Sequence, residues 1–269
     1  MELAQYFTEF ILYSFLGWIW ESVYCTIREK GWQDRGFLFG PICPIYGISV
    51  VLSSYIFKNI PVLMNPDFPL WGIFILCFLV SAIIEYGTSW GLEKRFHARW
   101  WDYSDIPLNI NGRICMPASI GFGMAGVFIV KYLIPAVENV RMMVKPGAYE
   151  LLALIFAILL GADLALTEAS LSSLLKRVEE MHLDFNEKAQ VSYEKISSAP
   201  KVLKRQIQEA MAYTLYLDEG QRSVLKKIIP MPNKRMSEEQ NLSRITFIHN
   251  LKEAVMSLPK NGIQRSNKQ

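Results

Sequence analysis

The amino-acid sequence predicts an all-α protein, a polytopic helical membrane bundle of five spans with a cytoplasmic α-helical tail. Two observations predict this fold class. Of the 269 residues 51% are hydrophobic, and the long apolar runs all lie before residue 169. Residues 169–269 contain 17 Lys and Arg against 11 Asp and Glu, whereas residues 1–168 contain 11 against 14. We therefore expect a transmembrane domain over residues 1–168 and a basic helical tail over residues 169–269.

Five apolar segments are each long enough to cross a bilayer. Each contains about 19–21 residues, which at 1.5 Å per residue spans a hydrocarbon core of about 30 Å. The five predicted spans are Tyr6–Cys25, Phe39–Phe57, Leu70–Trp90, Ile114–Ile134 and Tyr149–Thr167. Pro41 and Pro44 lie in the opening turn of the second span, which makes it the least regular of the five.

The connections predict the orientation of the spans. Residues 26–38 and 91–113 contain more Lys and Arg than the other two connections. Because positive charge is retained in the cytoplasm, we expect a multi-pass protein of the plasma membrane with its N-terminus outside and its tail in the cytoplasm. The first apolar run lacks a basic leader and an A-x-A-like cleavage site, so it is predicted to be a retained span.

Three acidic residues, Glu21, Glu85 and Asp163, lie inside three different spans, each about one turn from the same end. An acidic side chain at such depth costs about 2.5–3.5 kcal/mol on insertion scales, so it usually faces the protein interior. Arg35 and Arg113 precede the two even-numbered spans at about the same level. The sequence thus predicts a buried polar layer near the cytoplasmic face. An ion-binding or substrate-binding site and a purely structural network of ion pairs both fit this pattern.

The connection before the fourth span is rich in polar side chains. Its hydrogen-bonding groups are those of Asp102, Ser104, Asn109, Asn111 and Arg113. Pro107 and Gly112 oppose a continuous helix, so we predict a shaped loop that could bind an ion, a head group or a polar solute. Trp100, Trp101 and Tyr103 suit the bilayer interface.

Other polar residues of the spans need no special site. Glu9, Lys131 and Glu150 lie near the opposite ends of their spans, where snorkelling or simple exposure accounts for them. Ala157 and Gly161 on the fifth span are small enough to permit close approach of another helix.

Several function classes are disfavoured by the sequence. Three of the four cysteines lie near the predicted cytoplasmic face, where thiols stay reduced, so no disulfide framework is expected. No Cys and His residues have the spacing of a metal site, and no P-loop pattern occurs. We therefore expect no metal, no cofactor and no nucleic-acid partner. No catalytic constellation is recognisable, which favours a role other than that of an enzyme.

Helical periodicity continues into the tail. Apolar positions after Ala169 predict that the fifth span extends beyond the membrane as one helix. A second helix is predicted over Val202–Leu217, and Gly220 is expected to interrupt the next helical pattern. The capping box Ser237-x-x-Gln240 predicts a further helix through about Met256.

The two halves of the membrane domain resemble each other. Glu21 ends the first span before Cys43-Pro44-x-x-Gly47, and Glu85 ends the third span before Cys115-x-Pro117-x-x-x-Gly121. A parallel duplication and the convergent use of Pro and Gly at span starts both fit this similarity.

Several of these residues also form a known pattern. The motifs are Gly17-Trp18-x-x-Glu21, Arg35-Gly36-Phe37, Gly40-Pro41-x-Cys43-Pro44-Ile45-Tyr46-Gly47, Glu85, Trp101-Asp102-Tyr103-Ser104 and Asn111-Gly112-Arg113-Ile114-Cys115. Over roughly residues 6–170 the chain resembles the bacterial putative ABC-transporter type IV family, the CmpB-like ABC transporter permeases. This resemblance implies a polytopic permease.

The predicted function is that of a transporter permease subunit in contact with membrane lipids. A separate ATPase subunit and a homo-oligomer are the partners that this reading implies, because the chain has no P-loop and few spans. A membrane-embedded enzyme acting on a lipid or head group, and a non-catalytic membrane scaffold or sensor, are the alternatives.

Overall fold

The computed structural model describes residues 2–30, 32, 34–63, 67–193, 217–232 and 236–257. Most of these residues are helical, as predicted, and each strand contains only two residues. The chain divides into two compact units, which are described separately. The first unit comprises Met1–Leu92 and Trp100–Ala165, and the second comprises Glu93–Arg99 and Leu166–Gln269.

Long apolar helices form most of the first unit. The helices that lie in it wholly or in part are α1 (Glu2–Glu29), α2 (Pro44–Asn59), α3 (Leu70–Phe96), α4 (Met116–Phe128), α5 (Ile134–Met143) and α6 (Pro146–Tyr193). Four helical segments among the described residues are long and apolar enough to cross a membrane: Glu2–Arg28, Leu70–Phe96, Met116–Met143 and Pro146–Met181. They coincide with the first, third, fourth and fifth predicted spans.

The second predicted span is shorter in the structure than expected. Its helix, α2, begins at Pro44 and has 16 residues, which corresponds to about 24 Å at 1.5 Å per residue. The predicted start at Phe39 is wrong, because Cys43 is extended and Pro44 opens the helix as its first residue. The count of five spans is therefore not confirmed.

A wide turn interrupts the third membrane-length segment, Met116–Met143. Residues Ile129–Leu133, between α4 and α5, are π-helical. Pro135 lies two residues after this turn, and a proline inside a helix lacks the N–H and crowds the carbonyl four residues earlier, here that of Lys131. A π-turn relieves this crowding without ending the helix.

Glycines allow the helices of this unit to approach closely. A Cβ atom on Gly17 of α1 would lie 2.4 Å from the Tyr46 Cβ of α2, and one on Gly126 of α4 would lie 2.3 Å from the Cys77 Cβ of α3. Such small residues are typical of helix contacts in membranes. By contrast, no atom of the described residues lies within 4 Å of a Cβ added to Gly161 of α6, so the close helix approach that this small residue permits is not seen there.

The second unit contains the helices of the tail. Besides the later part of α6 it has α7 (Glu219–Lys227) and α8 (Glu238–Ser257), and strand β1 (Ala98–Arg99) pairs with β4 (Ile229–Pro230). Its core is formed by fully buried apolar side chains such as Leu171, Leu174, Leu225 and Leu251. These residues lie on α7, α8 and the later part of α6, where apolar side chains alternate with many polar ones.

Most predictions for the tail can be compared with the structure. The continuous helix beyond Ala169 is confirmed by α6, and the capping box of Ser237 and Gln240 is confirmed by its two hydrogen bonds. The predicted break at Gly220 is wrong, because Asp218 and Gln221 form a capping box that starts α7 one residue earlier. The predicted helix Val202–Leu217 lies, apart from its last residue, outside the described residues.

Candidate functional site

Glu21 of α1 is bonded to a tyrosine of the neighbouring helix. The Tyr46 hydroxyl of α2 donates to Glu21 Oε2 at 2.6 Å. The two helices come close enough for this bond because Gly17, one turn before Glu21, leaves room for the Tyr46 side chain. The Glu21 side chain is 31% exposed, so it is only partly enclosed by the protein.

Arg35 supplies positive charge beside Glu21. Its Nε lies 3.9 Å from Glu21 Oε1 with a side-chain exposure of 30%, and its backbone N–H donates to the Ser22 hydroxyl at 3.4 Å. The predicted encounter of an acid with an arginine is thus present for this pair, at ion-pair distance. Partial exposure makes such a pair weak, worth about 0–1 kcal/mol.

Glu85 of α3 is far more buried than Glu21. Only 5% of the residue is exposed, and the Tyr103 hydroxyl donates to its Oε1 at 3.0 Å. The other oxygen, Oε2, is buried and has no hydrogen-bond partner among the residues that the structure describes. A buried carboxyl oxygen without a donor is costly, typically by about 1–3 kcal/mol or more.

The two acids and the two tyrosines form one group, the acid–tyrosine cluster of Glu21, Tyr46, Glu85 and Tyr103. The negative charge of Glu21 acts on both Glu85 and Tyr103. Burial first, and then the adjacent Glu85 charge, raise the pKa of the Tyr103 phenol well above its ordinary value. Tyr103 therefore stays protonated throughout the neutral pH range, and its hydroxyl remains a hydrogen-bond donor to Glu85.

Arg113 lies against α3, one helical turn from Glu85. Its guanidinium donates to the Ser89 hydroxyl at 3.4 Å and stacks over the Tyr86 ring at 5.6 Å. The predicted arginine is therefore close to the polar layer, where its guanidinium contacts a hydroxyl and an aromatic face.

Asp163 of α6 binds backbone rather than acting at the cluster. Its two carboxyl oxygens accept hydrogen bonds from the N–H groups of Phe39 and Gly40, at 3.0 and 2.9 Å. A Cβ on Gly40 would lie 2.7 Å from Asp163 Oδ2, so glycine is required for this approach. Asp163 thus fixes the extended segment before α2, a role that the sequence did not reveal.

Neighbouring motif residues shape the same segment. Gly36 has a φ of 108°, a conformation open to glycine alone at little cost. The backbone N–H of Cys43 donates to the Ser14 carbonyl of α1 at 2.9 Å, and a Cβ on Gly47 would lie 2.1 Å from the Ser14 hydroxyl. Pro41 occupies an exposed bend within the segment. The motif around Pro41 and Pro44 is therefore the packing surface that holds Tyr46 against Glu21.

The predicted shaped loop is a hairpin. Strands β2 (Asn109–Ile110) and β3 (Ile114–Cys115) are antiparallel, and Asn111 and Gly112 both have positive φ, as a tight hairpin turn needs. Asp102 accepts from the backbone N–H and hydroxyl of Ser104, at 3.1 and 2.6 Å. These contacts hold the hairpin rather than offering free ligands.

The remaining polar groups of this loop tie it to its surroundings. The Asn109 side chain donates to the carbonyls of Ser104 and Ile106 and accepts from the Gly112 N–H. The Asn111 amide donates to the Tyr86 hydroxyl, and the Trp101 indole donates to the Arg113 carbonyl. The hairpin thereby aims Tyr103 at Glu85.

A second polar cluster lies at the opposite end of α1, and sequence reasoning missed it. Glu9, expected to be exposed, is only 5% exposed and lies 3.5 Å from Arg141. Lys58 and Glu138 form a second ion pair at 3.1 Å. Arg141 also contacts Gln5 beside an open cavity of about 450 Å³. The i, i+4 pairing of Glu9 with Tyr13 on α1 gave the only available hint of an inward face.

The chemistry available at the acid–tyrosine cluster is that of proton or cation binding. Its groups are two carboxyls and two phenols, and no group of His, Cys, Asp and Glu among the described residues could hold a transition-metal ion. All four cysteines are buried thiols that form no disulfide with one another.

One family model matches the chain. It is described as "Putative ABC-transporter type IV" and covers residues 8–168, which include all four members of the acid–tyrosine cluster. No curated protein and no solved structure matches the chain.

Proposed function

Since the chain belongs to the putative ABC-transporter type IV family, we propose that it is the permease subunit of a membrane transporter. Family membership and four membrane-length helices support a transporter-like membrane protein. The permease role adds that the chain itself lines the path of the solute.

The observation that supports this role is the acid–tyrosine cluster inside apolar helices. Glu21 and Glu85 come from separate helices, each long and apolar enough to span a bilayer, and each carboxyl is bonded to a tyrosine from another segment. Intramembrane acids that face the protein interior commonly mark ion or substrate paths. A purely structural pair would satisfy its own oxygens, whereas Glu85 Oε2 lacks a donor among the described residues.

We propose that α2 and the extended segment before it form the fifth crossing. Non-helical backbone at membrane depth is tolerated only where the protein satisfies its polar groups. Asp163 does this for the N–H groups of Phe39 and Gly40. In this proposal the Glu21 end of the bundle faces the cytoplasm and the N-terminus lies outside.

A separate ATPase is the proposed energy source, because the chain contains no P-loop. The partner would bind the basic connections at the Glu21 end, and several copies of the chain would surround one pathway. The test is purification of the tagged full chain from native membranes in mild detergent. We expect a P-loop ATPase to co-purify in comparable amount, and its consistent absence would refute the ATP-driven form of the proposal.

Transport itself requires reconstitution. Proteoliposomes containing the purified complex would be tested for uptake of a panel of radiolabelled amino acids, sugars and inorganic ions. Replacement of both cluster acids, Glu21→Gln with Glu85→Gln, should reduce any observed uptake at least tenfold. The matched control is Glu150→Gln, which alters an exposed acid near the start of α6 that does not belong to the cluster. Uptake that survives the double replacement would show that the cluster does not line the path.

A further inference from the structure

The hydrogen-bond donors of the acid–tyrosine cluster are one fewer than its carboxyl oxygens require. Glu21 Oε2 accepts a hydrogen bond from the Tyr46 hydroxyl, and Glu21 Oε1 faces Arg35 at 3.9 Å and the Cys25 thiol at 3.8 Å. Glu85 Oε1 accepts a hydrogen bond from the Tyr103 hydroxyl. Glu85 Oε2 has neither a donor nor a cation among the described residues, although the residue is only 5% exposed.

Charge repulsion adds to this shortage. The two carboxyls lie close enough for Glu21 to act on Glu85, and both lie in helices that are apolar enough to span the bilayer. Two carboxylates that share one site do not both ionise easily, so such pairs hold a proton between them. One added proton removes this repulsion and the buried negative charge of Glu85 at the same time.

We propose that Glu85 Oε2 binds an exchangeable proton, and that the acid–tyrosine cluster is the proton-binding site of this permease. An O–H bond forms at Oε2 when a proton arrives from water, the carboxylate loses its negative charge, and the same proton returns to water on release. Coupling of this event to solute movement depends on the proposed permease function, whereas proton binding does not.

The surroundings decide which of the two acids holds the proton. Glu21 faces the positive charge of Arg35 at 3.9 Å. The groups shown to act on Glu85 do not neutralise it: Tyr103 donates a hydrogen bond to its carboxyl, and Glu21 adds a negative charge. Arg113 is directed at Ser89 and the Tyr86 ring.

Partly exposed Glu21 is the proposed route for the proton, because its side chain is 31% exposed and its charge acts on Glu85. Tyr46 and Tyr103 keep the two carboxyls oriented through their hydroxyl bonds. The expected order of transfer is from water to Glu21 and then to Glu85.

Infrared spectroscopy of the purified full-length protein tests the proton directly. In sodium-free buffer at neutral pH we expect the C=O band of a protonated carboxylic acid, corresponding to one carboxyl per chain. Glu85→Gln should remove this band, and Glu150→Gln should leave it unchanged. A band that is absent from the wild type, or that persists unaltered in Glu85→Gln, would overturn the proposal.

A second variant keeps the test decisive if Glu85→Gln does not fold. Tyr103→Phe removes the 3.0 Å hydrogen bond to Glu85 Oε1, so the acid band should shift to higher frequency. Exposed Tyr24 provides the matched control, Tyr24→Phe, with no shift expected. An identical band in wild type and Tyr103→Phe would refute the assignment to Glu85.

Sodium distinguishes a proton from another small cation. We expect the band to be the same in sodium chloride and in choline chloride. Loss of the band on addition of sodium would instead identify a metal-cation site and overturn the proton assignment.

The proposed function is tested separately by solute uptake in proteoliposomes. A protein with the band but without uptake would retain the proton site and lose the permease role. A protein that takes up solute but lacks the band would retain the permease role and lose the proton site.

Discussion

The contact between Asp163 and the segment before α2 gives the sharpest test of the fold. Asp163→Ala removes two hydrogen bonds to backbone N–H groups, of 3.0 and 2.9 Å. Hydrogen bonds to a charged group contribute about 1.5–3 kcal/mol each, or roughly 3–6 kcal/mol for the pair. Because Phe39 and Gly40 are only partly buried, water replaces part of this loss. Removal of the carboxylate also removes its desolvation cost.

The net expectation for Asp163→Ala is a loss of about 1–2 kcal/mol in the free energy that keeps this segment closed. Since 1.4 kcal/mol corresponds to a factor of ten, the open population should rise about 5–30-fold. Cys43 reports this opening because it follows the segment, is only 4% exposed, and is a thiol rather than part of a disulfide. Asp163→Asn keeps one acceptor oxygen and should give an intermediate increase.

The assay is alkylation of Cys43 by a thiol reagent in native membranes, followed by peptide mass spectrometry. Its rate should rise with the open population, in the order wild type, Asp163→Asn, Asp163→Ala. Cys77 of α3, which is 6% exposed, serves as the internal control and should react at an unchanged rate. Equal Cys43 rates in all three proteins would refute the proposed role of Asp163, and a parallel rise at Cys77 would indicate global unfolding instead.

Three further predictions concern the packing around the cluster. Gly17→Ala places a Cβ 2.4 Å from the Tyr46 Cβ and should cost about 1–3 kcal/mol by overpacking, whereas Gly161→Ala should be neutral; thermal unfolding in detergent measures both. Tyr46→Phe should lower the free energy of unfolding by about 1 kcal/mol, with exposed Tyr24→Phe as the unchanged control. Tyr103 has a pKa raised from 10.0 by burial and by Glu85, so its stabilisation is complete below about pH 10 and is lost as pH rises further. Tyr103→Phe should flatten this alkaline loss, and an unchanged profile would contradict it.

The sequence predicted where apolar helices lie better than where they begin. Hydropathy measures the cost of burying a whole segment, and four membrane-length helices match it. The start of α2 depends instead on which groups bind the N–H groups of Phe39 and Gly40, and their acceptor, Asp163, lies more than 120 residues away in the chain. Hydrophobic periodicity, which is a local pattern, cannot predict a contact between residues so far apart in the chain.

For the site, the sequence indicated the depth of the three acids in the membrane but not the direction in which their side chains point. Glu21, Glu85 and Asp163 were expected at one level with arginine partners. The structure brings the first two into one cluster through Tyr46, which was treated as a motif residue, and Tyr103, which was also predicted to lie at the bilayer interface. The position of a residue in a span specifies its depth in the membrane. The direction of its side chain around the helix axis is set by close contacts such as that of Gly17 with Tyr46. Glu9 was misjudged for the same reason.

Comparison of the two polar clusters separates a structural role from a functional one. At the Glu9 end each acid has a cation, Glu9 with Arg141 and Glu138 with Lys58. Balanced pairs of this kind account for their own burial and join helices without needing a ligand.

The acid–tyrosine cluster is not balanced in this way. Of its two acids, Glu21 has a cation within ion-pair distance. The more deeply buried Glu85 has a phenol on one oxygen and, among the described residues, no donor on the other. A negative charge left unpaired in an apolar helix destabilises the fold unless a ligand occupies it part of the time. This imbalance, rather than the mere presence of acids in the spans, is the reason to place the site at Glu85.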